Sequence, residues 1–249
     1  DGLSAGKGVV VAETTLDAEN AIKDILGGSF GSAGAEVVVE AFLKGEEASV
    51  FAICDGRNFL TLAPAQDHKR AFDGDKGKNT GGMGAFAPAA IVTEEILKKV
   101  KEKIIAPTLA GMAEEGAPFI GCLFVGLMID NGEPSVVEFN CRFGDPETQA
   151  VLSVTEGDFA DLFFSAALGL LHPGAITNIY NGYACNVVLA SGGYPDTYKT
   201  GYSITGISDA EETGVTVFHA GTKIENSSLV TNGGRVLGVC GKGTSLSEA

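Results

Sequence analysis

The chain has 249 residues, enough for one large domain or two modest ones, with 45% hydrophobic residues and a formal net charge of −15. The acidic balance disfavours nucleic acid as a partner, no apolar run reaches the length of a membrane span, and the first residues lack the apolar core of a signal peptide. Five cysteines (Cys54, Cys122, Cys141, Cys185 and Cys240), without a C-x-x-C pair, fit reduced thiols in a cytoplasmic compartment. The chain opens without Met, directly in a glycine-rich loop, and reads as an internal piece of a longer polypeptide.

In chain order, Val9 to Ala12 reads as a short strand. A helix follows, capped by Thr15 or Asp17, with Leu16, Ala18, Ala21, Ile22, Ile25 and Leu26 near helical period and Gly27-Gly28 ending it. The β-branched stretch Glu36 to Glu40 predicts a strand, and Ala48 to Cys54 predicts another. Asp55-Gly56 then turns the chain into Asn58–Leu62 as a hairpin. Asp67 to Gly84 is polar, glycine-rich and aperiodic, which predicts a long functional loop. Thr93 caps a helix to about Met112, kinked by Pro107. Asn131-Gly132 joins Phe119–Asp130 to Ser135–Asn140 as a hairpin. Asp158 caps a helix to Leu171. From Tyr183 onward, short strands alternate with Gly, Pro and Asn turns, as in a separate, smaller β-rich unit.

The run Val136-Val137-Glu138-Phe139-Asn140-Cys141-Arg142-Phe143-Gly144-Asp145-Pro146-Glu147 carries most of the chemistry. Glu138 and Asn140 are two apart on a strand, so they share a face. A carboxylate beside an amide oxygen, with no His or Cys ligand, suits a hard cation such as Mg²⁺. Arg142 follows where an anion would meet it. The plain alternative is a structural salt-bridge corner, but polar groups leaving a buried strand are poorly explained by packing.

Other candidates are less specific. Gly6-Lys7-Gly8 lacks P-loop spacing, and an ordinary surface turn is the plainer reading. Glu40, Phe42, Leu43 and Glu47 lie where a strand ends in an acid, a short apolar link and two more acids. That pattern reads either as a solvated strand end or as an adenine slot with an acid for ribose hydroxyls. Gln66-Asp67-His68-Lys69-Arg70 and Asn79-Thr80-Gly81-Gly82-Met83-Gly84 read as a solvated corner or as backbone approaching a ligand closely. The three histidines, His68, His172 and His219, are scattered and form no Ser–His–Asp pattern.

These motifs, with Asp1-Gly2-Leu3-Ser4-Ala5-Gly6-Lys7-Gly8, Gly192-Gly193-Tyr194-Pro195, Phe218-His219-Ala220-Gly221-Thr222 and Thr231-Asn232-Gly233-Gly234-Arg235-Val236, resemble the ATP-grasp superfamily. Within it they resemble the glycinamide ribonucleotide synthetases (phosphoribosylamine–glycine ligases) of purine biosynthesis. The resemblance implies an α+β ATP-grasp fold: a partial lid lobe over 1–43, a catalytic lobe with a central antiparallel sheet and helices over 44–172, and a small β-rich C-terminal domain over 173–249. The resemblance further implies that the family's N-terminal domain, and a nucleotide-site lysine, belong ahead of the position where Asp1 stands.

It also implies ATP-dependent joining of glycine to 5-phosphoribosylamine through glycyl phosphate, with ATP and Mg²⁺ or Mn²⁺. Gly6, Lys7 and Gly8 would cover the phosphates; Glu40, Phe42 and Leu43 would line adenine; Glu47 would take the ribose; Glu138 and Asn140 would hold the metal. Arg142 would neutralise the transferring phosphoryl group, with Lys69 and Asp145 beside it in the catalytic set. Asp67, Arg70 and Asn79 would bind the acceptor substrate. The resemblance also admits a place within a larger multifunctional purine enzyme. Alternatives are a non-catalytic ATP-binding fragment and another ATP-grasp carboxylate–amine ligase.

Overall fold

The computed structural model describes residues 9–74, 76–179 and 182–249. The chain divides into two units, 1–44 and 45–249.

In the first unit, α1 (Thr15–Asp24) begins at Thr14. Its side chain accepts from the Asp17 backbone N–H while Asp17 returns a bond to the Thr14 N–H, a closed capping box. The cap is therefore Thr14 and not Thr15, and Asp17 is the answering acid. A π turn over Ile25–Ser29 follows, broken at Gly28, whose φ of 100° only glycine adopts readily. A 3₁₀ turn over Gly31–Gly34 closes the element. The strands expected at Val9–Ala12 and Glu36–Glu40 are not present among the described residues. Val9, Val38 and Val39 are more than 70% exposed. β-branched residues favour extended backbone, but a strand exists only where a ladder partner takes its N–H and C=O groups.

The second unit is organised on β1 (Glu46–Asp55), which is buried along nearly all its length. It pairs antiparallel with β2 (Phe59–Thr61), the expected hairpin. The next hairpin joins β3 (Gln66–Phe72) to β4 (Lys76–Ala87), through the stretch expected to be a loop. Its ladder is irregular and its strands carry glycines where other chain segments press close, so neither period nor propensity announces it. At Gly84 a Cβ would lie 2.9 Å from the Asn186 carbonyl oxygen.

Helix α2 (Glu94–Val100), capped by Thr93, leads through a π turn (Lys101–Ile105) into α3 (Ala106–Glu114). The irregular turn sits just ahead of Pro107, which lacks the N–H a regular helix needs there. Strands β5 (Ile120–Asp130) and β6 (Glu133–Asn140) form the Asn131-Gly132 hairpin, with φ of 49° and 79° at the turn.

The four-stranded sheet has order β2-β1-β5-β6. One face packs Val50, Ala52, Val125 and Leu127 against Ile96, Val100, Ile105 and Leu109 of α2–α3. The other packs Phe51, Ile53 and Phe124 against α4 (Glu147–Ser153) and, past the short β7 (Thr155–Gly157), against α5 (Phe159–Ala167). Covering both faces explains the unbroken apolar run of β1. Asp158 caps α5 as expected, but Gly169, at φ 73°, ends it short of Leu171.

The later strands are β8 (Ile176–Ile179), which pairs with β7, and β9 (Tyr183–Ala190). After α6 (Ile207–Glu211) come β10 (Thr216–His219), β11 (Thr222–Glu225), β12 (Ser228–Thr231) and β13 (Arg235–Gly243). Strands β11 and β12 form a small ribbon, while β9, β10 and β13 complete a five-stranded sheet of order β10-β13-β9-β4-β3. That sheet is shared across residues 172–173, because β9 hydrogen-bonds directly to β4. No helix among the described residues is long and apolar enough to cross a membrane.

Candidate functional site

Glu138 and Asn140 stand at the end of β6, an edge strand. They do share a face: Asn140 Nδ2 donates to Glu138 Oε1 at 3.1 Å. The register between β5 and β6 slips between Gly126 and Leu127, leaving Val137 as an extra residue. Gly126 lies opposite Glu138, and a Cβ there would sit 3.2 Å from Glu138 Cγ. Arg142 donates to Phe143 O at 2.9 Å and to Asn140 Oδ1 at 3.4 Å. The strand end thus presents a carboxylate, an amide and a guanidinium in one line.

Glu138 borders a small cleft whose other walls include Glu47 of β1, Lys69 of β3 and Phe124 of β5. Lys69 Nζ donates to Glu47 Oε2 at 2.5 Å and lies 4.0 Å from Asp67 Oδ2. Burial alone pulls Lys69 down, but the facing Asp67, Glu47 and Glu138 carboxylates outweigh it and hold it above the usual lysine range. Asp67, nearly enclosed, is raised by burial against the lowering pull of Lys69. Beneath them Glu147, 5% exposed, is pushed up to about 7 by burial and then by the Asp67 charge. The fixed cation therefore stands among four acids in a half-dry cleft, where electrostatic effects exceed those in open water.

The expected residues fall into three groups. Glu47, Asp67, Lys69, Glu138, Asn140 and Arg142 converge as described. Asp145 is committed elsewhere: Oδ1 accepts from Gln149 Nε2 at 3.0 Å and Oδ2 from Arg235 Nη2 at 3.2 Å. Arg70 points along its own hairpin and donates to Gly77 O at 2.9 Å, and Asn79 is its exposed partner across the ladder. In the first unit, Glu40, Phe42 and Leu43 lie outside any helix or strand, with Phe42 68% exposed. Gly6, Lys7 and Gly8 lie outside the described residues.

Sequence reasoning gave no role to Glu147, Tyr194 or Arg235. Glu147 could have been suspected as an acid opening an apolar helix just after a proline. Nothing in the local sequence shows that Arg235 reaches across to Asp145. One other constellation proves inert for nucleophilic chemistry. His172 Nδ1 lies 2.6 Å from Asp161 Oδ2, but Ser165 Oγ meets the His172 backbone N–H and Leu162 O and not the imidazole, so the three do not make a triad.

Among the described residues, no group of three or more His, Cys, Asp or Glu gathers as a metal site. The Glu138–Asn140 pair nonetheless fits Mg²⁺ or Mn²⁺ chemically. Both offer hard oxygen donors, and Mg²⁺ commonly takes one or two protein ligands and completes its shell from phosphate and water.

The fold is ATP-grasp. Biotin carboxylase from Campylobacter jejuni, solved as a complex with a β,γ-ATP ligand, superposes with a TM-score of 0.67 at 13% identity, over 97% of this chain and 52% of that one. At that identity the likeness concerns architecture alone. The phosphoribosylglycinamide synthetase ATP-grasp (A) domain matches residues 1–148, and the C domain of the same synthetase matches 184–249. The chain belongs to the phosphoribosylglycinamide synthetase family.

The phosphoribosylamine–glycine ligase of Vibrio parahaemolyticus is 51% identical over the whole of this chain, which spans 58% of that relative's length. The crystal structure of the phosphoribosylamine–glycine ligase from Thermotoga maritima superposes with a TM-score of 0.83 at 34% identity, covering all of this chain and 61% of that one.

Proposed function

We propose that this chain supplies the nucleotide-handling part of an ATP-dependent ligase that joins glycine to 5-phosphoribosylamine. The supporting observation is that Glu138, bonded to Asn140 and through it to Arg142, borders one cleft with Glu47 and Lys69, in a member of this family. A glycine carboxylate oxygen attacks the γ-phosphorus, the bond to the β–γ bridging oxygen breaks, and ADP leaves. The phosphoribosylamine nitrogen then attacks the glycyl carbonyl carbon, phosphate departs, and the nitrogen gives up a proton.

Such transfers need positioning and charge compensation more than a protein nucleophile. Arg142 presents its fork to the transferring phosphoryl group. Lys69, kept charged by its acids, offers a second cation. Glu47 takes the ribose once Lys69 turns to phosphate. Asp67 lines the acceptor side, with Arg70 and Asn79 at its outer edge. Glu40, Phe42 and Leu43 receive adenine, and Gly6, Lys7 and Gly8 cover the phosphates. Glu138 and Asn140 hold a divalent cation, Mg²⁺ or Mn²⁺, that neutralises triphosphate charge when bound. Asn140 must turn its amide to do so, since its oxygen now faces Arg142. Asp145 serves as a brace for the Arg142–Glu147 turn.

The three segments 1–43, 44–172 and 173–249 are read as lid, catalytic lobe and C-terminal domain, working in the cytoplasm. Because the chain spans 58% of the Vibrio relative, a second reading is a nucleotide-binding part that ligates only when joined to the remainder. The test is ATP consumption, with glycine and phosphoribosylamine each omitted in turn, by this chain and by the polypeptide at its relatives' full length. Consumption that requires both substrates supports the ligase. Consumption indifferent to either one removes it.

A further inference from the structure

Between the pairs His68–Gly84 and Arg70–Asn79, one residue of β3, Lys69, faces four of β4, Thr80 to Met83. A bulge of this size takes backbone groups out of the ladder, and each needs another partner. Thr80 Oγ1 donates to Lys69 O at 2.8 Å and accepts from Gly82 N–H at 3.0 Å. Gly81 N–H donates to the Tyr194 hydroxyl at 2.9 Å, and Gly81 C=O accepts from Arg235 Nη1 at 2.8 Å. The same guanidinium reaches Asp145 O at 2.7 Å and Asp145 Oδ2 at 3.2 Å. Both polar groups of Gly81 are therefore held by side chains 113 and 154 positions away.

The glycines around this arrangement have steric reasons. A Cβ on Gly82, at φ 113°, would meet Pro146 Cδ at 2.3 Å, and one on Gly234 would strike the Tyr194 ring at 2.4 Å. A Cβ on Gly81 would sit 3.1 Å from Arg235 Cζ. The side of the bulge that lacks a ladder partner is thus fitted closely to Pro146 and to the chain after β9.

We propose that Arg235 and Tyr194 are positioning residues that hold the Thr80–Met83 bulge and, through Thr80, set Lys69 in the cleft beside Glu47 and Glu138. Arg235 acts through Gly81 and Asp145 and does not itself meet substrate. The activity consequence rests on the ligase reading; the structural consequence does not.

Hydrogen–deuterium exchange on this chain gives the first arm. Tyr194→Phe removes one hydroxyl and should speed exchange at Gly81 about tenfold, the effect of losing one hydrogen-bond partner, with β1 and β5 unchanged. Arg235→Ala should extend the faster exchange over 80–83. Unaltered exchange there in both variants overturns the proposal.

The second arm is ligation by the polypeptide at its relatives' full length. Both variants should lower kcat about tenfold while the KM for ATP stays within about twofold, because a misplaced group costs the chemical step more than binding. Arg235→Lys should not rescue, since an ammonium cannot fork to Gly81 O and Asp145 together. Full activity in every variant, rescue by lysine, or an equal loss in ATP KM and kcat overturns it. If Arg235→Ala fails to fold, Tyr194→Phe and Arg235→Lys carry both arms. A wild type without ligation sinks the ligase reading, and exchange at 80–83 still decides the positioning claim.

Discussion

The end of β6 and the bulge of β4 present polar groups in opposite ways. At β6, side chains two residues apart project from the strand end just past a one-residue bulge, and Glu138, Asn140 and Arg142 find one another locally. At β4 the chain leaves its ladder, and what it shows is backbone, steadied by Tyr194 and Arg235 from far along the sequence. Local periodicity is enough to arrange the first. The second exists only once the fold has closed.

The sharpest way to separate the two is to damage each. Glu138→Ala, in the polypeptide at its relatives' full length, should cut ATP turnover by at least about 100-fold while circular dichroism and thermal midpoint stay near wild type, as when a charge-compensating group is lost. A stability loss matching the activity loss would make β6 a structural corner.

Gly82→Ala should do the reverse. Its Cβ would lie 2.3 Å from Pro146 Cδ on backbone at φ 113°, so a loss of about 3 kcal/mol is expected in urea unfolding. A variant within about 0.5 kcal/mol of wild type would mean the bulge is loosely held.

Glu147→Gln probes the acid beneath both regions. Its carboxyl is raised from 4.5 to about 7 in the fold, by burial first and then by Asp67. Between these values the folded state binds the extra proton, so stability falls as pH rises through the window and is level above it. That slope, on the order of 2 kcal/mol once the compactness of real unfolded chains is allowed for, should flatten in the variant. Superimposable pH–stability curves for the two proteins would count against a raised Glu147.

The smallest effect is expected at Gly126→Ala. Its Cβ would sit 3.2 Å from the flexible Glu138 side chain, so about 0.5–1 kcal/mol of stability is at stake, with a measurable rise in the KM for ATP. An unchanged KM would free Glu138 from any dependence on its cross-strand neighbour.

The same contrast explains which parts of the molecule were readable. Strand β1 was plain because both faces are buried and its apolar run is unbroken. The β5–β6 turn was plain because Asn131-Gly132 supplies the two positive φ angles it needs. Thr93 and Pro107 marked the start and the break of α2–α3. Residues 67–84 misled because Gly81, Gly82 and Gly84 answer to Arg235, Pro146 and Asn186, all remote in sequence. Residues 9–12 and 36–40 misled the other way, since their valines have strand propensity without a ladder among the described residues. In the site, the Glu138–Arg142 line was legible from spacing alone. The commitment of Asp145 to Gln149 and Arg235, and the burial of Glu147, were not, because each depends on what packs above it.

The pairing of Glu138 with Asn140 as a metal-nucleotide grip is open to one direct measurement. It is a crystal structure of the polypeptide at its relatives' full length, grown with Mn²⁺ and a non-hydrolysable ATP analogue, with the metal located by anomalous scattering. The expected result is a manganese peak about 2.2 Å from a Glu138 carboxylate oxygen and from Asn140 Oδ1, bridged to the phosphates beside Arg142. A nucleotide-bound metal elsewhere, with both side chains unengaged, would contradict it.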